Sequence, residues 1–174
     1  MIRKASPADA KGIAQVHIKS WQQAYCDLMP AEYLSALDAT LAKRESFWMA
    51  SIESGESNVW VAQVDGQVVG WIAVGASRDD DGAVANAGEV MALYVVAAHW
   101  QTGVGPALWN AGVQYLSEQG FEQLTLWVLA GNDRAIRFYR RVGCVEEAGS
   151  ERNLERGGVK LVEVRYRLPR IPLL

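Results

Sequence analysis

The chain has 174 residues, of which 50% are hydrophobic, and a formal net charge of -3 at pH 7. This length and apolar content predict one compact domain with a sizeable core, and the acidic balance argues against a nucleic-acid partner. The two cysteines, Cys26 and Cys144, lie far apart without CxxC spacing, and there are only two histidines. A disulfide framework and a metal centre are therefore not expected, and each cysteine is interpreted as a buried apolar group.

The N-terminal segment carries no signal for export or membrane insertion. It lacks the apolar core of a secretory signal peptide. The apolar stretches, such as VVGWIAV at residues 68–74, are too short to span a bilayer. We therefore expect a soluble cytoplasmic protein without a membrane partner.

Helices dominate the predicted elements of the first third of the chain. A short strand at residues 2–5 leads to a helix with Ser6 as its N-cap, a proline in the first turn and Asp9 three residues after the cap. Apolar residues then recur with helical spacing, and His17 falls among them, which favours a packing role over a catalytic one. Two further helices are predicted before residue 55.

The clearest strand pair is a hairpin over residues 58–75. Two β-rich runs flank Asp65-Gly66, the favoured residue pair of a type I′ turn. The loop that follows contains three consecutive carboxylates, which form either a solvated surface or a surface that attracts a cationic substrate. These residues are Asp79, Asp80 and Asp81.

The run EVMALYVVA, residues 89–97, predicts a central strand, because it is almost entirely apolar after its glutamate, as in a strand buried on both faces. A glycine loop and a helix follow, then a strand over residues 123–130, a short helix, and closing strands at residues 144–150 and 159–168. The order β-α-α-α-β-β-β-α-β-α-β-β contains one central βαβ crossover flanked by hairpins. It predicts a single α/β (α+β) domain over residues 1–174.

The loop HWQTGVGP, residues 99–106, has the features of an anion-binding turn. Gly103 and Gly105 let the backbone approach a ligand, and the helix after them points unpaired N–H groups at the loop. Neither the Walker nor the Rossmann motif fits, because Gly105 is followed by Pro-Ala and Leu108 stands at the third Rossmann glycine. Taken alone, the pattern also fits a tight strand-to-helix turn.

The wider segment resembles the signature of the GNAT superfamily of N-acetyltransferases, which bind acetyl-CoA. Residues 93–95, Leu-Tyr-Val, match the end of the family's strand, and residues 103–105, Gly-Val-Gly, match the core of its loop. The segment NDRAIRFYRRVGC is similar to the family's second motif. The matching residues there are Asn132, Ala135, Phe138, Tyr139 and Gly143.

Three loop positions depart from the family pattern. Ala97 stands where proline is common, Trp100 replaces the usual glutamine or arginine, and Gln101 replaces the first loop glycine. The loop thereby loses a side-chain contact to phosphate, although backbone N–H donors remain available. A lower affinity for the coenzyme is the expected consequence.

The resemblance implies a mixed, mostly antiparallel sheet of six to seven strands with helices on both faces, splayed between its two central parallel strands. It also implies acetyl-CoA as co-substrate, with the pantetheine arm lying in the strand gap like an additional strand, and no metal. The residues expected to bind the coenzyme are Leu93, Tyr94, Val95, Gln101, Thr102, Gly103, Val104, Gly105, Pro106, Ala107 and Asn132.

Two residues are the candidates for acid–base chemistry. Glu89 opens an otherwise apolar strand fourteen positions before Gly103, where some superfamily members hold a catalytic glutamate. It is either the base, acting directly or through water, or an exposed carboxylate without a role. The resemblance assigns Tyr139 as the acid facing the coenzyme sulfur, with Phe138 filling the core. Both cysteines lie outside these roles, so direct attack in a ternary complex is expected.

The acceptor is expected to be a primary amine of a small molecule. Protein or peptide acetylation and a coenzyme-binding module without turnover stay open, as does a homodimer. The acceptor site is expected between the N-terminal helices, the loop at residues 76–88 and the final hairpin. Trp21, Tyr25 and Tyr33 are its candidate lining residues, with a purely structural role as the alternative for each.

Overall fold

A mixed eight-stranded sheet lies at the centre of the computed structural model, which describes residues 1–79 and 86–172. The order across the sheet is β1-β2-β3-β4-β5-β8-β6, with β7 also paired to β8. The strands are β1 (Ile2–Lys4), β2 (Asn58–Val64), β3 (Gln67–Ala76), β4 (Gly88–Val95), β5 (Leu124–Leu129), β6 (Val145–Glu146), β7 (Arg152–Arg156) and β8 (Val159–Leu168). Among the described pairings only β4–β5 is parallel, which confirms the implied fold class.

Helices cover both faces of this sheet. Their bounds are α1 (Ala10–Ala24), α2 (Ala31–Ala36), α3 (Leu41–Glu53), α4 (Val104–Glu118) and α5 (Asp133–Arg141). Alternate side chains of β3 show how the layers form, because Trp71 packs with α1 and α3 whereas Ile72 packs with α4. None of these helices, within the part of the chain that the structure describes, is long and apolar enough to cross a membrane.

Two of the predicted local signals are confirmed at the atomic level. The Asp9 carboxylate accepts hydrogen bonds from the Ser6 backbone N–H at 2.8 Å and from Arg3 at 2.7 Å, which fixes the entry into α1. The hydrogen bond from Arg3 lowers the pKa of Asp9 to about 2. In the β2–β3 turn, Asp65 and Gly66 have φ angles of +48° and +79°, as a type I′ turn requires.

The prediction that β4 is buried on both faces holds only for its first half. Gly88, Glu89 and Val90 are buried, whereas the strand is half-buried or exposed from Met91 to Val95. The cause is the divergence of β5, which leaves one edge of β4 open. This opening is the splay that the resemblance implies.

Strand β7 was not predicted, and the sheet has one strand more than the upper estimate of seven. Its sequence, RNLER, is almost entirely polar and exposed, with only Leu154 half-buried. It pairs with β8 through a turn at Gly157 and Gly158. Because β7 lies outside the core, no alternating apolar pattern marks it in the sequence.

The expectation that both cysteines are buried is correct for Cys144 and wrong for Cys26. Cys144 packs in the core cluster beneath α4 and α5. Cys26 is exposed just after α1.

Candidate active site

A cleft opens where strands β4 and β5 separate. The two strands pair only at Gly88–Leu124 and Glu89–Thr125, although β5 continues along β8 as far as Leu129. A cavity of about 860 Å³ occupies the opening, within the range of about 300–1,000 Å³ that small ligands use. Backbone groups on the open edge of β4 are therefore available to a ligand that lies along it.

The glycine loop forms one end of this cleft. Gln101 and Gly103 both adopt left-handed backbone conformations, with φ angles of +61° and +90°, and Gly103 caps α4. The first-turn N–H groups of α4 have no partner in the helix apart from that of Ala107, which donates to the Gly103 carbonyl. This backbone provides the N–H donors and the positive helix end that an anion needs.

Most of the predicted coenzyme-binding residues line one continuous cleft. They are Leu93, Tyr94, Val95, Gln101, Gly103, Gly105, Pro106 and Asn132. Three others do not line it, because Thr102 donates to the His99 carbonyl, Val104 packs on the core and Ala107 lies within the first turn of α4. Their contacts with the coenzyme, through backbone N–H groups, stay a prediction.

The donor set fits coenzyme A. The loop end offers N–H groups and arginine side chains to phosphate, and the β4 edge offers backbone groups to the amides of the pantetheine arm. The exposure of β4 is compatible with coenzyme binding, because the open part of the strand keeps half-exposed side chains along the cleft.

Glu89 lies where the two strands part. It is 2% exposed, so it is not a solvated strand-end carboxylate. Arg78 encloses it, because the Arg78 backbone N–H and Nε donate to Oε2 at 3.0 and 3.1 Å while Nη2 donates to Oε1 at 2.6 Å. The same hydrogen bonds raise the pKa of Arg78. Both oxygens of Glu89 are thus engaged, which fixes the carboxylate at the edge of the cleft.

Tyr139 lines the cleft from α5 and is only 8% exposed. Burial raises the pKa of its hydroxyl, so the phenol keeps its proton at neutral pH. The expected division of roles with Phe138 is not seen, because both rings contact Trp109 and Tyr139 is the more buried of the two. Tyr139 therefore contributes to the core as well as to the cleft wall.

Asn132 combines a structural and a lining role. Its side-chain oxygen accepts the Ala135 backbone N–H at 3.3 Å and so caps α5. The residue also lines the cleft opposite the open edge of β4.

The opposite end of the cleft is formed by α1 and the β7–β8 hairpin. Trp21 and Tyr25 line it as expected, whereas Tyr33 lies outside the lining and packs against the hairpin turn. Burial raises the pKa of Tyr25. Leu154 and Glu163 complete this end from the hairpin.

Asp79 is not free to attract a cationic substrate. Its carboxylate accepts hydrogen bonds from Trp127 Nε1 at 3.0 Å and from Arg165 Nη1 at 3.2 Å. It therefore joins the loop to β5 and β8. Asp80 and Asp81 lie outside the described residues.

Four of the cleft-wall residues that sequence reasoning missed are Arg78, Trp127, Arg134 and Glu163. Three of them are brought there by strand pairing or by a loop, which leaves no local signal. Arg134 is different, because it lies one helical turn before Phe138 in a recognised motif, and helical spacing places the two on one face.

Comparison with known proteins identifies relatives of this chain. The family model described as "Acetyltransferase (GNAT) family" matches residues 18–144. The uncharacterized N-acetyltransferase YuaI of Bacillus subtilis (strain 168) is 32% identical over 174 residues, covering 99% of this chain and 95% of that protein.

Solved structures share the fold across their whole length. PaiA N-acetyltransferase from Thermoplasma acidophilum, in complex with coenzyme A, has a TM-score of 0.71 at 21% identity and covers 94% of this chain and 96% of that one. Ribosomal-protein-alanine N-acetyltransferase from Brucella melitensis has a TM-score of 0.69 at 22% identity, covering 96% and 98%. The chain therefore belongs to the GNAT family and is an N-acetyltransferase that takes its acetyl group from acetyl-CoA.

Proposed function

We propose that the acetyl acceptor is the primary amine of a small molecule, which enters the cleft end formed by α1 and the β7–β8 hairpin. The observation that supports this proposal is that the β7–β8 hairpin and the segment after α1 bound that end of the cleft. A peptide acceptor needs an open groove through which its chain can continue on both sides of the reacting amine. A small amine needs only a pocket.

The β7–β8 hairpin packs against α2 and forms one boundary of this end of the cleft. The turn at Gly157 is so close to Tyr33 that a Cβ added to the glycine would lie 2.7 Å from Tyr33 Cβ. Behind the turn, Leu161 of β8 shares a buried cluster with Leu34 and Leu37. The hairpin and the helical segment thus form one continuous wall.

The segment after α1 bounds the other side of this end. Leu28 lies against the loop between β5 and α5, and a Cβ added to Gly131 would meet its Cδ2 atom at 2.6 Å. Met29 is buried and lines the cleft nearby. Both contacts reduce the room for an extended chain.

The proposed chemistry uses the two candidates from the sequence. An alkylammonium has a pKa of about 10.4, so the acceptor must lose a proton before its nitrogen attacks the thioester carbonyl carbon. Glu89 takes that proton through a bridging water, since Arg78 already occupies both of its oxygens. Backbone N–H groups near Leu93, on the open edge of β4, polarise the carbonyl. The carbon–sulfur bond then breaks, Tyr139 donates its phenolic proton to the departing thiolate, and the second proton lost by the new amide nitrogen passes through water to restore the Tyr139 phenol.

The test is a thiol-release assay with acetyl-CoA and two matched panels of acceptors, small primary amines and short peptides. We expect turnover on a small amine and none on peptides. Turnover on peptides alone would refute the small-molecule assignment and favour an acceptor like that named for the Brucella melitensis structure. Calorimetric binding of coenzyme A without turnover on either panel would favour a coenzyme-binding module.

Variants then test the assigned roles. Glu89→Gln and Tyr139→Phe should each lower kcat by about 100-fold, the usual range for a lost general base or acid. Tyr115→Phe and Glu118→Gln make the same chemical changes at residues outside the cleft lining and should leave kcat unchanged. Full activity in Glu89→Gln or Tyr139→Phe would remove that residue from the mechanism.

A further inference from the structure

Trp100 occupies the loop position where the family pattern has glutamine or arginine. Its indole Nε1 donates to the Val95 carbonyl at 2.7 Å, which fixes the ring at the end of β4. The ring itself lines the cleft. A rigid aromatic face therefore stands where a phosphate-binding side chain would be expected.

Arg134 lies on that face. Its guanidinium carbon is 3.1 Å from the centroid of the Trp100 ring, well within the limit of about 6 Å for a cation–π pair. Arg134 belongs to the first turn of α5, which Asn132 caps. The position of the guanidinium is thus set from two sides, by the ring and by the helix.

The Arg134 side chain is a half-buried cation that lacks a carboxylate partner within the described ranges 1–79 and 86–172. Burial lowers its pKa somewhat, but an arginine stays charged at neutral pH. It lines the cleft together with Gly103 and Gly105 of the glycine loop. By contrast Arg140, on the same helix, pairs with Glu146 at 3.2 Å and does not line the cleft.

We propose that Arg134 binds the pyrophosphate of coenzyme A, and that Trp100 is the positioning residue that holds its guanidinium beside the glycine loop. The arginine on α5 thereby replaces the side-chain contact that the loop lacks at position 100. A planar guanidinium presents paired N–H donors to phosphate oxygens, and stacking leaves those edge donors free. The proposal is independent of the identity of the acceptor.

Calorimetric titration with three compounds tests this assignment: coenzyme A, dephospho-coenzyme A, which keeps the pyrophosphate but lacks the 3′-phosphate, and pantetheine, which lacks both. Arg134→Ala should raise the Kd of the first two by the same factor, about 10- to 100-fold, and leave the Kd of pantetheine unchanged. It should also flatten the rise of Kd with salt concentration. Arg140→Ala, the matched control, removes the same charge from the same helix and should change none of these values.

Variants of the ring separate positioning from simple packing. Trp100→Ala should weaken coenzyme A binding nearly as much as Arg134→Ala, and the double variant should be little weaker than either single one, because the two residues act as a unit. Trp100→Phe keeps an aromatic face and should restore most of the affinity.

Two results would overturn the proposal. One is a Kd for coenzyme A within twofold of wild type in Arg134→Ala. The other is an equal loss of affinity for all three compounds, which would mean that the pair only supports the shape of the cleft. If Arg134→Ala does not fold, Arg134→Lys replaces it: retention of charge without the planar fork should still weaken both pyrophosphate compounds and spare pantetheine, and unchanged binding would refute the assignment.

Discussion

Acidification should destabilise the protein through one half-buried histidine. His17 stacks on Tyr94, with ring centroids 5.1 Å apart and an interplanar angle of 22°, and also contacts Trp71. Arg44 Nη1 lies 3.2 Å from its Nε2 atom. Burial, aided by the positive charge of Arg44, lowers the pKa of His17 from 6.5 to about 3.

The sign of the effect follows from the two states. In the unfolded chain His17 takes up a proton as the pH falls through 6.5, whereas in the folded protein it stays neutral until about pH 3. Between these two pH values the unfolded state binds more protons than the folded state. The free energy of unfolding therefore decreases as the pH is lowered. At pH 5 the loss relative to pH 7.5 is about 2 kcal/mol, equivalent to a fall in Tm of about 4–8 °C for a chain of this size.

Thermal unfolding at pH 7.5 and pH 5.0, in buffers of equal ionic strength, measures this loss. The glutamine of His17→Gln cannot be protonated. The Tm of this variant should therefore fall less than that of wild type over the same pH interval, by about 4–8 °C. Asp9 does not contribute to this loss, because its pKa is 3.8 in the unfolded chain and about 2 in the folded protein, and both values lie below pH 5. Arg44→Gln removes the second cause and should reduce the pH dependence in part. Equal falls in wild type and His17→Gln would refute the reasoning.

Three further predictions concern turns and a helix cap. Gln101→Gly should raise Tm by a few degrees, because a left-handed non-glycine residue costs about 1 kcal/mol, and unchanged Tm would argue against the positive φ. Gly157→Ala should lower Tm more than Gly158→Ala, since both are left-handed but only the first meets Tyr33; equal losses would contradict the hairpin contact. Asn132→Ala should destabilise by about 1 kcal/mol through the lost cap of α5, and a measured free energy of unfolding equal to wild type would exclude the cap.

Local signals predicted the elements well. The cap formed by Ser6 and Asp9 and the turn at Asp65-Gly66 involve residues within a few positions of one another, so the sequence contains the whole interaction. The same holds for the glycine loop, whose left-handed Gly103 is the N-cap of α4. Gln101 shows that the backbone there needs a positive φ even though the residue is not glycine.

Contacts between distant segments were not predictable in this way. The pairing of Glu89 with Arg78 spans a loop, and the stack of Arg134 on Trp100 joins two separate motifs. Strand β7 forms only because β8 offers it an edge, and its polar sequence has no face to bury. In each of these cases the contact depends on a segment elsewhere in the chain, so the residues on one side of the contact do not predict it.

This distinction explains why the coenzyme was easier to infer than the acceptor. The coenzyme end of the cleft is built from one continuous stretch, residues 88–144, where the spacing of loop and helix residues encodes the geometry directly. The proposed acceptor end is assembled from α1 and the segment before α2 on one side and, on the other, from the β7–β8 hairpin, which lies more than a hundred residues later in the chain. Its shape depends on packing such as that of Gly157 on Tyr33. Under the proposed assignment, specificity for the acceptor therefore depends on contacts that only the folded chain brings together.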